Sequence, residues 1–255
     1  MTNTPWIGKA DQIDDYDLPR IGHMIGVGED IVHMVLDVES RGEGFKDGMV
    51  IKLFEEHVFY RNLPVSKRDQ AVKLGIAWPK WRKNYKNNHA TFLKAYEFNP
   101  GAALKACSWG LGQVLGENYK MLNYASPAAM VRAFAADEAN QLQGMIDFIK
   151  AAGIDDELRE MEKTTNRATL LQLASAFASR YNGPGYRKNN YHIRLVNRLV
   201  FWRGKPDTPW SPNMAKTESI TGPSLTEDDV ISKATLWELI SALIMAIFGK
   251  EAKLV

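Results

Sequence analysis

The chain has 255 residues and 45% hydrophobic content, enough for a sizeable core in one large domain or in one domain with an appendage. Its one cysteine, Cys107, excludes an intramolecular disulfide and a cysteine-rich metal site and fits synthesis in a reducing cytoplasm. The net charge of +2 hides nine Lys or Arg against one acid over residues 61–94, and seven with no acid over 180–205, a pattern that favours a polyanion or makes a solvated face.

Residues 1–25 carry Asp11, Asp14, Asp15 and Asp17 with little periodicity and read as a lead-in packed on the domain. A helix is predicted from about Glu29 to Glu39, starting at Gly28 or Gly26 and broken by Gly42, Gly44 and Gly48. Met49–Phe54 is apolar and β-branched and reads as a strand of a small sheet. Residues 66–105 read as two or three helices with loops at Trp78-Pro79 and Asn99-Pro100-Gly101. Gly110, Gly112 and Gly116 punctuate Ser108–Tyr119; in a helix each would cost about 1 kcal/mol relative to alanine. Either tight packing or a substrate near the backbone would justify them. Met130, Val131, Phe134, Leu142, Met145, Ile146 and Ile149 form the buried stripe of one or two helices over 127–152. A helix over about 168–181 ends at Asn182-Gly183-Pro184-Gly185, and Tyr191–Trp202 makes a basic amphipathic helix.

Composition then changes. Residues 205–226 hold prolines 206, 209, 212 and 223 among Ser and Thr and read as a linker. Thr226-Glu-Asp-Asp229 starts a helix over 227–255 whose apolar run, Leu239–Phe248, is too short to span a bilayer. It suits docking on the preceding domain, self-association or a membrane interface. The domain itself is assigned to residues 1–204.

Glu39 ends the apolar stretch that begins at Ile31. A carboxyl flanked by packed apolar groups is desolvated, so its neutral form is favoured. A protonated carboxylic acid near neutral pH is what a glycosidase needs to donate a proton to a leaving sugar oxygen. The plainer reading is a cap or salt bridge at a surface helix end.

Val35-Leu-Asp-Val-Glu-Ser-Arg-Gly-Glu-Gly-Phe45 resembles the opening motif of the phage-type N-acetylmuramidases, lysozyme-like endolysin catalytic domains that cut peptidoglycan glycan strands. Lys52–Arg61, Ser108–Gly116 and Phe177–Tyr186 match in the same order, with a weaker block at Asp137–Leu142. The resemblance covers residues 25 to 202. It implies a mainly α, lysozyme-like fold with a small β-sheet beside the catalytic helix, and hydrolysis of the β-1,4 bond between N-acetylmuramic acid and N-acetylglucosamine. Glu39 would be the proton donor. Glu55 matches the family's Phe-Glu pattern, whereas Glu56 stands where relatives carry a basic residue. Strand alternation sends Glu55 and Glu56 to opposite sides, and Glu55 is preferred for the cleft as the second carboxylate. Glu43 and Asp47 are weaker turn candidates.

Ser108 and Gln113 suit hydrogen bonds to N-acetyl groups or a water, and Tyr119 closes their block. Tyr181, Asn182 and Tyr186 form a third wall, where rings stack on sugars and the amide satisfies hydroxyls. The five histidines show no metal-ligand spacing, so neither a metal nor another cofactor is expected. His57 reads as structural and Cys107 as buried and inert. Trp78, Trp81 and Tyr85 interleave with the first basic cluster, but no nucleic-acid-binding signature accompanies them, and nucleic acid is not expected as a partner. The expected partner is bacterial peptidoglycan, with membrane or protein contact assigned to the C-terminal helix. Met1–Trp6 lacks a positive n-region followed by an apolar run, so no ordinary signal peptide is expected, and action in the periplasm or wall would need another route. Phage or prophage host lysis is the leading use. A secreted antibacterial effector, or a non-catalytic glycan-binding or cationic membrane-active protein, is the alternative.

Overall fold

The computed structural model describes residues 4–40, 42–82 and 88–212, so the expected C-terminal helix and most of the linker lie outside the described residues. The lead-in contains a helix that its sequence does not advertise, α1 (Asp17–His23), with Leu18, Ile21 and Gly22 buried. Before it, Trp6 is buried edge-on against Phe92 and Tyr96, at 4.8 and 4.9 Å between ring centroids.

Helix α2 (Glu29–Glu39) starts at Gly28, with Glu29 and Asp30 favourably placed in its first turn. Ile31, Val32, Met34, Val35, Leu36 and Val38 are all buried, so apolar packing surrounds most of its girth. Its last turn carries no basic residue, and Ser40 ends it.

The single strand expected over Met49–Phe54 is divided. β1 (Phe45–Lys46) pairs with β2 (Met49–Val50), Phe45 opposite Val50. β3 (Lys52–Phe54) pairs instead with β4 (Cys107–Trp109), Leu53 opposite Ser108, and β5 (Val114–Leu115) completes that antiparallel sheet. Ile51 is the switch point: its N–H donates to Gly44 O at 2.9 Å and its carbonyl accepts from Gly110 N at 2.8 Å.

α3 (Glu56–Asn62) follows β3 immediately, with Glu55 as its N-cap residue. α4 (Val65–Lys73) comes next, then α5 (Asn88–Phe98) and α6 (Pro100–Lys105). The loop expected at Asn99–Gly101 is the cap of α6: the Asn99 side chain accepts from Ala102 N and Pro100 occupies the first turn. The glycine-rich block is the β4–β5 hairpin and a 3-10 turn (Gly116–Lys120), not a helix.

α7 (Pro127–Ala136) and α8 (Glu138–Ala152) are separated by Asp137, whose side chain caps α8 through Asn140 N. The expected apolar stripe is buried in full. α9 (Asp155–Glu162) has no counterpart among the helices expected from the sequence; α10 (Arg167–Tyr181), a 3-10 turn (Tyr186–Asn189) and α11 (Tyr191–Trp202) complete the described fold.

α2 packs against α1 and α11, and α10 joins α11 to α9. α5 packs on β3 of the sheet, and α6 packs on α5 and α3. α11 buries Leu195, Val196 and Leu199 completely. Each such side chain contributes about 1.5–3 kcal/mol of burial, which holds the Glu39 helix firmly. Past α11, residues 205–212 have no helix or strand. Thr208 N donates to the buried Glu29 at 2.5 Å, and the Trp210 ring lies 5.3 Å from His23.

Candidate active site

A cleft of about 770 Å³ opens between the C-terminal end of α2, the β3–β4–β5 sheet and the α10–α11 connection. That volume suits an extended small ligand or a few sugar rings. Glu39, Glu55, Ser108, Gln113, Tyr181 and Asn182 all line it. Tyr119 and Tyr186 do not. Tyr119 sits in the 3-10 turn after β5, its ring within 6 Å of the Lys105 and Lys120 ammonium groups. Tyr186 is buried edge-on against His192, at 5.3 Å. Neither tyrosine is among the residues that line the cleft.

Glu39 is partly exposed on the cleft wall. Burial among the apolar residues of α2 and its neighbours pushes its carboxyl from 4.5 up to about 7. The negative end of the α2 dipole acts in the same sense. The Tyr191 hydroxyl donates to Glu39 Oε1, and this bond, with the charge of Arg194, pulls the other way without overcoming desolvation. Arg194 donates to Val38 O at 2.9 Å. Asp37, two residues before Glu39, accepts from Arg198 Nε at 2.6 Å and from Trp202 Nε1 at 2.7 Å. The Trp202 ring stacks on His33 with centroids 3.7 Å apart. α11 therefore grips the last turns of α2 by several polar bonds around Glu39.

The second carboxylate comes from the β3–α3 junction. Burial also raises the Glu55 carboxyl, Arg61 opposes this, and the Ser108 hydroxyl bonds it from the paired strand. His57 Nδ1 stands 3.8 Å from Glu55 Oε2, and burial lowers the imidazole from its ordinary value. Glu56 points elsewhere: it is buried and accepts from Arg82 Nε at 2.6 Å. The choice of Glu55 over Glu56 for the cleft matches this placement, but strand alternation is not its cause. The strand ends at Phe54, and the start of α3 separates the two side chains.

The glycines of the hairpin serve packing. A Cβ on Gly110 would lie 2.5 Å from Gln141 Oε1, one on Gly112 2.7 Å from Met145, and one on Gly116 2.0 Å from Leu104 O. Gln141, wholly buried, accepts from Leu111 N and donates to Phe134 O, each at 2.8 Å. Glu138 accepts from Gly44 N at 2.9 Å and Ile13 N at 3.2 Å. The weak Asp137–Leu142 block is thus the backbone clamp of the cleft floor. Gln113 sits at the hairpin tip with φ of 47°, a left-handed conformation that is costly for a side chain bearing a Cβ, and its Nε2 donates to Gly110 O at 2.8 Å.

Tyr181 stacks on Phe177, with centroids 5.1 Å apart, and donates its hydroxyl to Gly112 O at 2.7 Å. It ties α10 to the hairpin as well as lining the cleft. Tyr191, Arg194, Lys188, Asn189, His57, Asn118 and Trp81 also line it, and the sequence does not single them out as site residues. Tyr191 lies 152 residues from Glu39, a separation no local pattern bridges. Cys107 is fully buried, and burial pushes its thiol well up, which suits an inert residue. No cluster of metal-ligating side chains occurs among the described residues, and none of their helices is long and apolar enough to cross a membrane.

Residues 29–202 match the family model for Muramidase, described as N-acetylmuramidase. Among solved structures, the crystal structure of the Burkholderia AP3 phage endolysin is similar, with 28% sequence identity and a TM-score of 0.62 over 76% of this chain and 73% of that one. No curated protein matches the chain.

Proposed function

This chain belongs to the N-acetylmuramidase family, and from that premise we propose that it hydrolyses the β-1,4 bond between N-acetylmuramic acid and N-acetylglucosamine with Glu39 as general acid. The observation that carries the proposal is a carboxyl held at about 7 on the wall of a cleft large enough for sugar rings. A protonated Glu39 can give its proton to the glycosidic oxygen as the bond to the anomeric carbon breaks. The Tyr191 hydroxyl then stabilises the carboxylate left behind. Glu55, aligned by Ser108, is the group best placed to assist the incoming water or the developing positive charge. Gln113 and Asn182 offer amides to hydroxyl and acetamido groups. No step in this reading needs a cofactor. Mass spectrometry of products from purified peptidoglycan tests it: reducing-end muramic acid is expected, and reducing-end glucosamine would refute the bond assignment.

The similar structure is a phage endolysin, which favours phage or prophage host lysis over a secreted effector. Action would then be on the cell wall. We also propose that the catalytic unit ends near Trp210, because Thr208 and Trp210 still contact α2 and α1. A chain cut after Trp210 should fold with little change in melting temperature and still cut isolated peptidoglycan; insolubility would show that the remaining segment covers the catalytic unit.

A further inference from the structure

The basic stretch over 180–205 holds seven cations, and five are engaged within the fold away from the cleft lining. Arg180 donates to Gly153 O at 2.8 Å, Arg187 lies over the Tyr186 ring at 5.1 Å, and Arg198 bonds Asp37. Arg203 donates to Thr164 O and Met161 O, each at 2.7 Å, and Lys205 lies over Phe201 at 4.8 Å. The two that remain, Lys188 and Arg194, are the two that line the cleft. Neither makes a salt bridge to a carboxylate among the described residues; Arg194 gives one nitrogen to the Val38 carbonyl, is otherwise exposed, and its charge also acts on Glu39.

The position of Lys188 is built, not incidental. Buried Tyr186 anchors the 3-10 turn against His192, Lys188 N donates to Gly185 O at 3.0 Å, and Asn190 closes the turn at φ of 51°. Glu117, whose charge acts on Glu55, is already paired with Arg61 and Asn62. The α10–α11 wall therefore presents two cations, neither held in a salt bridge among the described residues, to the cleft.

We propose that Lys188 and Arg194 form a carboxylate subsite that selects acidic glycan strands over neutral ones of the same sugar length. Resting on the peptidoglycan reading, the acid is the lactyl carboxylate of muramic acid or a carboxylate of the peptide stem attached to it. A cationic pair on the cleft wall distinguishes such strands from chitin-type oligomers through charge-assisted hydrogen bonds.

Binding is measured on full-length Glu39→Gln protein, which holds substrate without turning it over. The probes are chitotetraose, a stem-free peptidoglycan tetrasaccharide, and a stem-bearing one. Both acidic strands are expected to bind about tenfold more tightly than chitotetraose if the lactyl group is read, and only the stem-bearing strand if the stem is read. Adding Lys188→Gln should erode that preference about five- to tenfold, Lys188→Glu should abolish it, and Lys188→Arg should restore it. Absence of any preference, or equal losses for acidic and neutral probes, overturns the subsite. Because binding is read on a protein unable to donate the proton, failure of the unmodified chain to cut peptidoglycan would count against the muramidase reading alone.

Discussion

Replacing Glu39 by Gln removes the transferable proton while keeping size and the acceptor for the Tyr191 hydroxyl. Loss of general acid catalysis should lower wall hydrolysis by about 10²–10⁴-fold. A second consequence is thermodynamic. The folded-state carboxyl titrates at about 7 against 4.5 without burial, so the fold favours the neutral form by about 3 kcal/mol. Glu39 lies on a cleft wall, and solvent screening reduces this to about 2 kcal/mol. A raised value means that the stability is fully present below 4.5 and is lost as pH rises through about 7. The glutamine side chain has no charge to bury, so the variant escapes that loss. Melting temperatures of the two proteins should agree near pH 4, and the variant should lead by about 4–8 °C at pH 8.5. Turbidity clearing and thermal melts across that range measure both effects. Clearing above about a tenth of the normal rate by a folded variant would remove Glu39 from the mechanism. Parallel pH–stability curves would refute its desolvation.

Tyr191→Phe removes a donor that favours the Glu39 anion, so the alkaline limb of the pH–rate profile should move up by about one pH unit; a limb that stays or moves down would contradict the assigned bond. Glu55→Gln should reduce peptidoglycan turnover with little change in melting temperature. Glu56→Gln should instead cost about 1–3 kcal/mol by removing the carboxylate charge that pairs with Arg82 while sparing turnover, and the reverse pattern would exchange their roles. Gln141→Leu leaves Leu111 N and Phe134 O without their buried partner and should cost about 2–4 kcal/mol in a denaturant melt, with activity falling as the hairpin loosens. A cost under about 1 kcal/mol would show that the hairpin does not depend on that clamp.

Local periodicity is sufficient for much of the architecture. The run Ile31–Val38 is apolar on most faces and flanked by glycines, so a buried helix ending at Glu39 follows from residue order alone. The stripe from Met130 to Ile149 places the paired helices α7 and α8, and Asn182-Gly183-Pro184 places the end of α10. α1 escapes because it is a short segment interrupted by Pro19 and Gly22, and α9 because it is short and dominated by charge, with only Leu158 and Met161 buried. The glycine block is ambiguous by nature: missing side chains show that something comes close, not what. The structure answers with Gln141, Met145 and the Leu104 carbonyl.

The sequence by itself determined a mainly helical chain, the helix-end setting of Glu39 and the ordered motifs that signal the muramidase family. Those properties depend on neighbours within a few residues, and periodicity reports such neighbours directly. Only the tertiary structure decided that Tyr191 and Arg194 meet Glu39, that Glu55 lines the cleft while Glu56 turns to Arg82, and that Tyr186 is buried against His192 outside the cleft lining. Each of these depends on α11, α10 and the β3–β4 pairing returning distant segments to α2. The free energy that brings them back is buried apolar area, which is non-directional and leaves no local signature of which polar groups it will bring together.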